Sequence, residues 1–334
     1  MMNTHHISIL KAGIQTTVQD LGRTGLRHLG ISQSGALDTH SLILANQLVG
    51  NDEQSAGLEV VIGPVHIRFE TDTCFALTGA DFNASLDNQR ISPAWRIHAA
   101  AGQVLKLTGA QSEMRAYIAF AGGINVPLVL GARATDIQAK FGGWQGRSLQ
   151  IGDQIPIGTH DVDIHNEHNH NEHINATAAA AFGVMQRAWS PDIRVLLGAE
   201  FSQFTPASQQ AFFSQAWRMS AQSNRMGARL QGQALERIDK TDLLSHAVMP
   251  GTVQVPPNGM PIVLLADSQT TGGYPRIAHV INADLWKLAQ TRTGQQFCFI
   301  QTDRETALAA QKKWQSEEEK LAAEILRRIR KIHA

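Results

Sequence analysis

Apolar residues fall mostly into short runs along this chain. Ile7–Leu10, Val65–Phe69, Cys74–Leu77, Val104–Leu107 and Tyr117–Phe120 are strand-sized and set apart by glycine-bearing or polar turns. The pattern resumes later in Ile193–Leu197, Gly251–Val255, Ile262–Leu265 and Phe297–Ile300. Helical spacing is rarer. Ala36–Val49 places Leu37, Leu44 and Leu48 near one helical face and stops at Gly50-Asn51. Ala283–Gln290 reads as a second, short helix. In residues 304–334, Trp314, Leu321, Ile325, Ile329 and Ile332 keep helical phase, with Glu317-Glu318-Glu319 ahead of Arg327-Arg328, Arg330 and Lys331. A polar stretch with His160, His165, His168, His170 and His173 separates two similar halves and reads as a linker. The pattern predicts a mainly β protein of two barrel-like domains. They span 1–158 and 181–303, with a linker at 159–180 and a charged helix at 304–334.

Composition narrows the function classes. Lys plus Arg number 29 and Asp plus Glu number 29 in 334 residues, so the formal net charge is zero. That balance argues against a nucleic-acid partner. With 43% hydrophobic residues the chain can build a core, and the 28 glycines point to many tight turns. Cys74 and Cys298 are too few and too far apart for a disulfide framework or a zinc knuckle. No run of about 18 apolar residues is present, and no secretory signal opens the chain. The expectation is a soluble cytoplasmic protein that engages no membrane.

Common catalytic signatures are missing. There is no G-x4-G-K-[ST] loop, no G-x-S-x-G elbow, no H-E-x-x-H and no C-x-x-C, and no M-K-M triplet for attached biotin. The linker histidines suit a metal ion in type, but a solvated linker explains them equally and no metal is assigned. Three polar, glycine-rich stretches remain. In Val18–Asp38, Asp20 and Arg23 can lock a turn, and Ser34, Gly35 and Asp38 can cap the helix. Gly109–Phe141 carries Gly122-Gly123 and Arg133, suited to an anion or to a bulged hairpin. The richest stretch combines Ser223–Leu230, Gly251–Pro256 and Ala266–Pro275. Asn224, Arg225, Asp267, Gln269, Thr270 and Tyr274 supply amide, guanidinium, carboxylate, hydroxyl and phenol there. Such a set meets the donors and acceptors of a buried amide or urea-like group.

The motifs "VQDLGRTGLRHLGISQSGALD", "ALTGAD", "RAYIAFAGGI", "GARATD", "FGGWQGRSL", "NRMGARLQG", "GTVQVPPNGMPIVLLADSQTTGGYP" and "ADLWKLAQ" occur in order between residues 7 and 302. Together they resemble the allophanate hydrolase subunit 2 family, also called biotin-dependent carboxyltransferase-like. The resemblance implies two tandem cyclophilin-like β-barrels. It also implies a role in an ATP-dependent 5-oxoprolinase that cleaves 5-oxo-L-proline to L-glutamate. The implied partners are two further components of that enzyme, one KipI-like and one LamB/YcsF-like, with ATP used by the complex. Two alternatives follow from the same resemblance. One is a carboxyltransferase component acting on urea or another amide, with biotin carboxylase and biotin carrier on other chains. The other is a KipA-like antagonist of a KipI-like kinase inhibitor. By analogy with the urea site, Asn224 and Tyr274 are the implied substrate contacts, followed by Asp267, Gln269, Thr270 and Arg225. No catalytic residue is implied. Ala132 and Ala134 stand where family members often carry serine, which weakens an anion role for that turn.

Overall fold

The computed structural model describes residues 5–159, 181–239 and 241–332. The His-rich stretch from residue 160 to 180 lies outside the described residues. Packing divides the chain into two compact units, and the division is not linear. The first unit comprises Met1–Gly22, Thr39–Arg187 and Glu318–Ala334; the second comprises Arg23–Asp38 and Ala188–Glu317.

The first unit contains strands β1 (His6–Ala12), β2 (Thr16–Gln19), β3 (Gly57–Val60), β4 (Val65–Phe69), β5 (Thr73–Gly79), β6 (Ser85–Leu86), β7 (Gln89–Arg90), β8 (Trp95–Ala99), β9 (Val104–Leu107), β10 (Ala116–Phe120), β11 (Gln154–Pro156) and β12 (Phe182–Gly183). They form two six-stranded sheets, ordered β11-β1-β4-β9-β6-β7 and β12-β8-β5-β10-β3-β2. Alternation explains how the sheets pack. Val65, Ile67 and Phe69 of β4 are buried, whereas His66 and Arg68 between them are not. Strand β10 is buried on both faces. Its Ala116, Ile118 and Phe120 enter the core between the sheets, and its Ala119, with Ala76 of β5, enters a second cluster on the far side. The small side chains there admit helix α1 (Thr39–Leu48) through Leu44, Ala45 and Leu48.

This packing corrects the expected start of that helix at Ala36. Leu37 packs in the core of the second unit, so it cannot share a face with Leu44 and Leu48. The second unit holds β13 (Asp192–Leu197), helix α2 (Pro206–Ser214), β14 (Trp217–Met219), β15 (Gly227–Gln231), β16 (His246–Ala247), β17 (Thr252–Gln254), β18 (Ile262–Leu264), β19 (Thr271–Gly272), β20 (Arg276–Val280), helix α3 (Leu285–Gln290) and β21 (Gln296–Gln301). Seven of these strands form a closed barrel, β13-β20-β17-β18-β15-β14-β21. Parallel pairing of β13 with β21 completes it. Inside lie Val195, Trp217, Val253, Val263, Phe297 and Phe299, and Phe212 of α2 stacks on Phe299 at 4.7 Å. The short pair β16 and β19 lies outside the barrel order.

Helix α2 is not foreshadowed by hydrophobic spacing. Its signal is local: the Thr205 hydroxyl accepts from Ser208 N–H at 3.2 Å, and Pro206 occupies the first turn. The last helix, α4 (Arg304–Ile332), exists as its periodicity predicts. Within the first unit its Leu321, Ile325 and Ile329 cover the cluster around Leu44 and Leu48. Glu318 at the head of this segment meets His40 Nδ1 of α1 at 2.5 Å. Ile325 is fully buried. Ile325→Ala should lower the unfolding free energy by about 2–5 kcal/mol, read from the urea midpoint.

On the solvent side of the first sheet, Lys11 of β1 pairs with His66 of β4, and His66 pairs with Lys106 of β9. Burial, then Lys11, then Lys106 push the His66 imidazole below its ordinary range. The unfolded chain therefore takes up this proton first, and stability falls as pH drops through about 6.5. Between pH 8 and pH 5.5 the wild-type urea midpoint should fall further than that of His66→Gln.

Candidate functional site

The antiparallel register of β15 and β18 sets Gly227 opposite Leu264 and Ala228 opposite Val263. The turn before β15 and the loop after β18 therefore meet at one end of the barrel wall. Leu265 N–H donates to the Met226 carbonyl at 3.0 Å, and Asp267 N–H to the Arg225 carbonyl at 3.1 Å. Four of the residues singled out in the sequence gather at this end.

Arg225 and Asp267 are engaged with each other. Arg225 Nε donates to Asp267 Oδ2 at 2.9 Å and Nη2 to Oδ1 at 3.0 Å. Both side chains are almost wholly buried, at 3% and 2% exposure. Arg225 Nη2 also donates to the Gly35 carbonyl at 2.5 Å. A buried bidentate pair of this kind has its charged atoms committed. The pair thereby holds three chain segments in register.

Asn224 is placed differently. Its Oδ1 accepts from Met226 N–H at 2.9 Å and Gly227 N–H at 3.3 Å. That is the local turn for which asparagine is suited. The side chain is exposed, and its NH2 group has no partner among the described residues. Gln269 is exposed and Thr270 half-buried, on the loop that continues from β18. Tyr274 is 46% exposed. Its carbonyl accepts from Nε2 of the buried Gln254 at 3.3 Å.

The ladder separates Tyr274 from Asn224. Val255 N–H donates to the Pro275 carbonyl, while Met226 accepts from Leu265. Val253 faces Val263 and Gln254 faces Ile262, so these two levels are four residues apart along β18. At about 3.3 Å per residue that is about 13 Å. The structure thus brings Asn224, Arg225, Asp267 and Gln269 toward one end and sets Tyr274 at the other. The connecting loop lies close on the barrel at Gly272, where a Cβ would sit 2.8 Å from Gln254 Nε2.

One residue escaped the sequence reading. Arg27, on a short 3-10 turn Arg27–Leu29, donates from Nη2 to the carbonyls of Val248 at 2.9 Å and Gln269 at 2.8 Å. It stands in a motif already quoted, but nothing local distinguishes it from Arg23.

In the first unit, the start of the Val18–Asp38 stretch and the Gly109–Phe141 stretch are joined by hydrogen bonds. Asp20 accepts from Gly22 N–H and from Arg133 N–H, and Arg133 Nε donates to the Val126 carbonyl. The Thr135 hydroxyl donates to the Val18 carbonyl at 2.9 Å. Gly143 lies so close that a Cβ would fall 1.8 Å from Thr135 Oγ1, with φ at +51°. Among the described residues no group of three His, Cys, Asp or Glu side chains is placed to hold a metal ion.

Residues 29–301 match the carboxyltransferase domain family, subdomains A and B. The chain belongs to this family. The C component of the Escherichia coli (strain K12) 5-oxoprolinase is 48% identical over 316 residues, covering 95% of this chain and 97% of that protein. The C component of the Haemophilus influenzae 5-oxoprolinase is 41% identical over 293 residues, covering 88% of this chain and 90% of that protein. The crystal structure of the K. lactis urea amidolyase superposes with a TM-score of 0.83 at 24% identity, covering 96% of this chain and 20% of that one. This carboxyltransferase-domain fold therefore recurs as one part of a larger chain.

Within this family member the Arg225–Asp267 pair makes a sharp prediction. Asp267→Ala strands a buried guanidinium and should cost about 3–5 kcal/mol of stability by urea unfolding. Arg225→Met combined with Asp267→Leu should recover much of that loss.

Proposed function

We propose that this chain is the C-type component of an ATP-hydrolysing 5-oxoprolinase that opens 5-oxo-L-proline to L-glutamate. The observation behind this reading is the 48% identity that runs nearly end to end with the C component of the E. coli 5-oxoprolinase. The proposed assembly is cytoplasmic and includes a KipI-like component and a LamB/YcsF-like component. The urea reading has weaker support, since the Saccharomyces cerevisiae urea amidolyase is 29% identical over 315 residues that make up 17% of that protein.

A lactam resists hydrolysis because its nitrogen lone pair is delocalised into the carbonyl. Coupling to ATP hydrolysis activates that carbonyl, while this chain binds the ring and orients it. The chain has no recognised phosphate loop, and ATP is assigned to the complex as a whole. Asn224 offers an unshared side-chain NH2 to the lactam carbonyl, with Gln269 and Thr270 on the neighbouring loop as further polar contacts. Tyr274 enters as a contact from the other end of that loop.

The three purified components, mixed with ATP and 5-oxo-L-proline, should form glutamate only when this chain is present. Equal glutamate formation without it refutes the reading. Asn224→Ala should raise KM for 5-oxo-L-proline by about tenfold, the loss of one hydrogen bond to a buried ligand group.

A further inference from the structure

Strand register in the first unit lines up basic residues across one sheet. Lys11 of β1 faces His66 of β4, His66 faces Lys106 of β9, Lys106 faces Ser85 of β6, and Ser85 faces Arg90 of β7. A bulge puts Lys11 in this row. Ile7 and Ile9 of β1 are buried in the core, so strict alternation would send residue 11 inward after them. The register shifts between Ile9 and Lys11, which spends Leu10 as the extra residue and sets Lys11 opposite His66. Lys11 is exposed, and His66 and Lys106 are half-buried.

Carboxylates do not answer these charges. Arg90 meets Asp81 at 3.4 Å, and Arg68, outside the row, meets Glu70 at 2.7 Å. Lys11 and Lys106 form no ion pair among the described residues. What acts on the His66 imidazole is burial and these two lysines, with no carboxylate among its neighbours. Basic groups directly opposite one another on strands disfavour the sheet, so folding gains nothing from the row.

Apolar surface adjoins it. Beyond the pairing of Ala12 with Val65, Ile14 N–H donates to the Ile62 carbonyl at 3.1 Å. These two isoleucines are 73% and 42% exposed. Ile14 follows Lys11 by three residues, a reach of about 10 Å at most. Apolar side chains beside unanswered charges suit a protein partner. Nucleic acid fits less well, because so few cations stand on a chain of zero net charge.

We propose that the row Lys11–His66–Lys106 docks an acidic face of another component of the assembly, with Ile14 and Ile62 as its apolar border. The inference rests on the 5-oxoprolinase reading, which supplies the partner. Lys11 and Lys106 stand two strands apart, so the partner presents carboxylates about 10 Å from one another.

The test measures association of the full chain with the other two purified components, at about 50 and about 300 mM salt. Lys11→Glu combined with Lys106→Glu should weaken association about tenfold or more at low salt and remove most of its salt dependence. Glutamate formation should fall when this chain is limiting and recover as its concentration is raised. Lys11→Ala with Lys106→Ala should give a smaller loss in the same direction, and melting temperatures check folding of each variant. Ile14→Ser should weaken association and leave the salt dependence in place. Lys312→Glu, an exposed reversal on α4, should change neither. Unchanged affinity in the Lys11/Lys106 variants, or in Ile14→Ser, overturns the inference. If a random-sequence oligonucleotide binds wild type more tightly than the components do, and the double reversal removes that binding, the partner is a nucleic acid and the protein assignment fails. Glutamate formation without this chain defeats the functional reading itself. Unchanged association of the reversed variant in a complex that needs this chain defeats only the inference.

Discussion

The buried fork between Arg225 and Asp267 is the contact on which the rest of the candidate site depends. It ties the turn before β15 to the loop after β18, and through the Gly35 carbonyl it also holds the segment Arg23–Asp38. Asn224 precedes one partner, Gln269 follows the other, and Arg27 lies on the third segment. Removing water from such a pair is expensive, so its value lies less in net stability than in a single permitted geometry. Loops closed by this means can present polar groups without being pulled into the core.

The same arrangement recurs through the second unit. Glu200 accepts from Arg276 at both oxygens, and Arg276 holds its carboxyl below the usual carboxylate range. Asp284 likewise accepts from Arg194 at both oxygens. Charge is thereby neutralised locally, in a chain whose total charge is zero. In the first unit Arg147 forks onto Asp153 in the same way, at 2.8 and 2.8 Å. Glu59 is fully buried and accepts from the Tyr117 hydroxyl at 2.8 Å, on the face of β10 turned away from the central core.

Strands and the long terminal helix were legible because each depends on local periodicity. Residue alternation in β4 and the Leu321-Ile325-Ile329 spacing in α4 survive any tertiary setting. The boundary of α1 was not legible, because Leu37 has the correct spacing for one helix and yet packs in the other unit. Helix α2 lacked a strong apolar stripe, although Thr205-Pro206 announced its start. For the candidate site, composition identified the loops but not the division of labour inside them. A guanidinium and a carboxylate in neighbouring motifs look like ligand groups until their distance is known.

The sequence by itself determined the mainly β architecture, the long terminal helix, the polar glycine-rich loops and the family, since all of these are carried by local pattern and ordered motifs. Only the tertiary structure decided that residues 23–38 pack with the second unit, that Arg225 and Asp267 neutralise one another, and that Asn224 and Tyr274 stand at different ends of a barrel wall. The physical reason is that burial and pairing are properties of residues far apart in the chain. Val248, Gln269 and Arg27 become neighbours through strand register and packing, and no spacing along the sequence encodes that meeting.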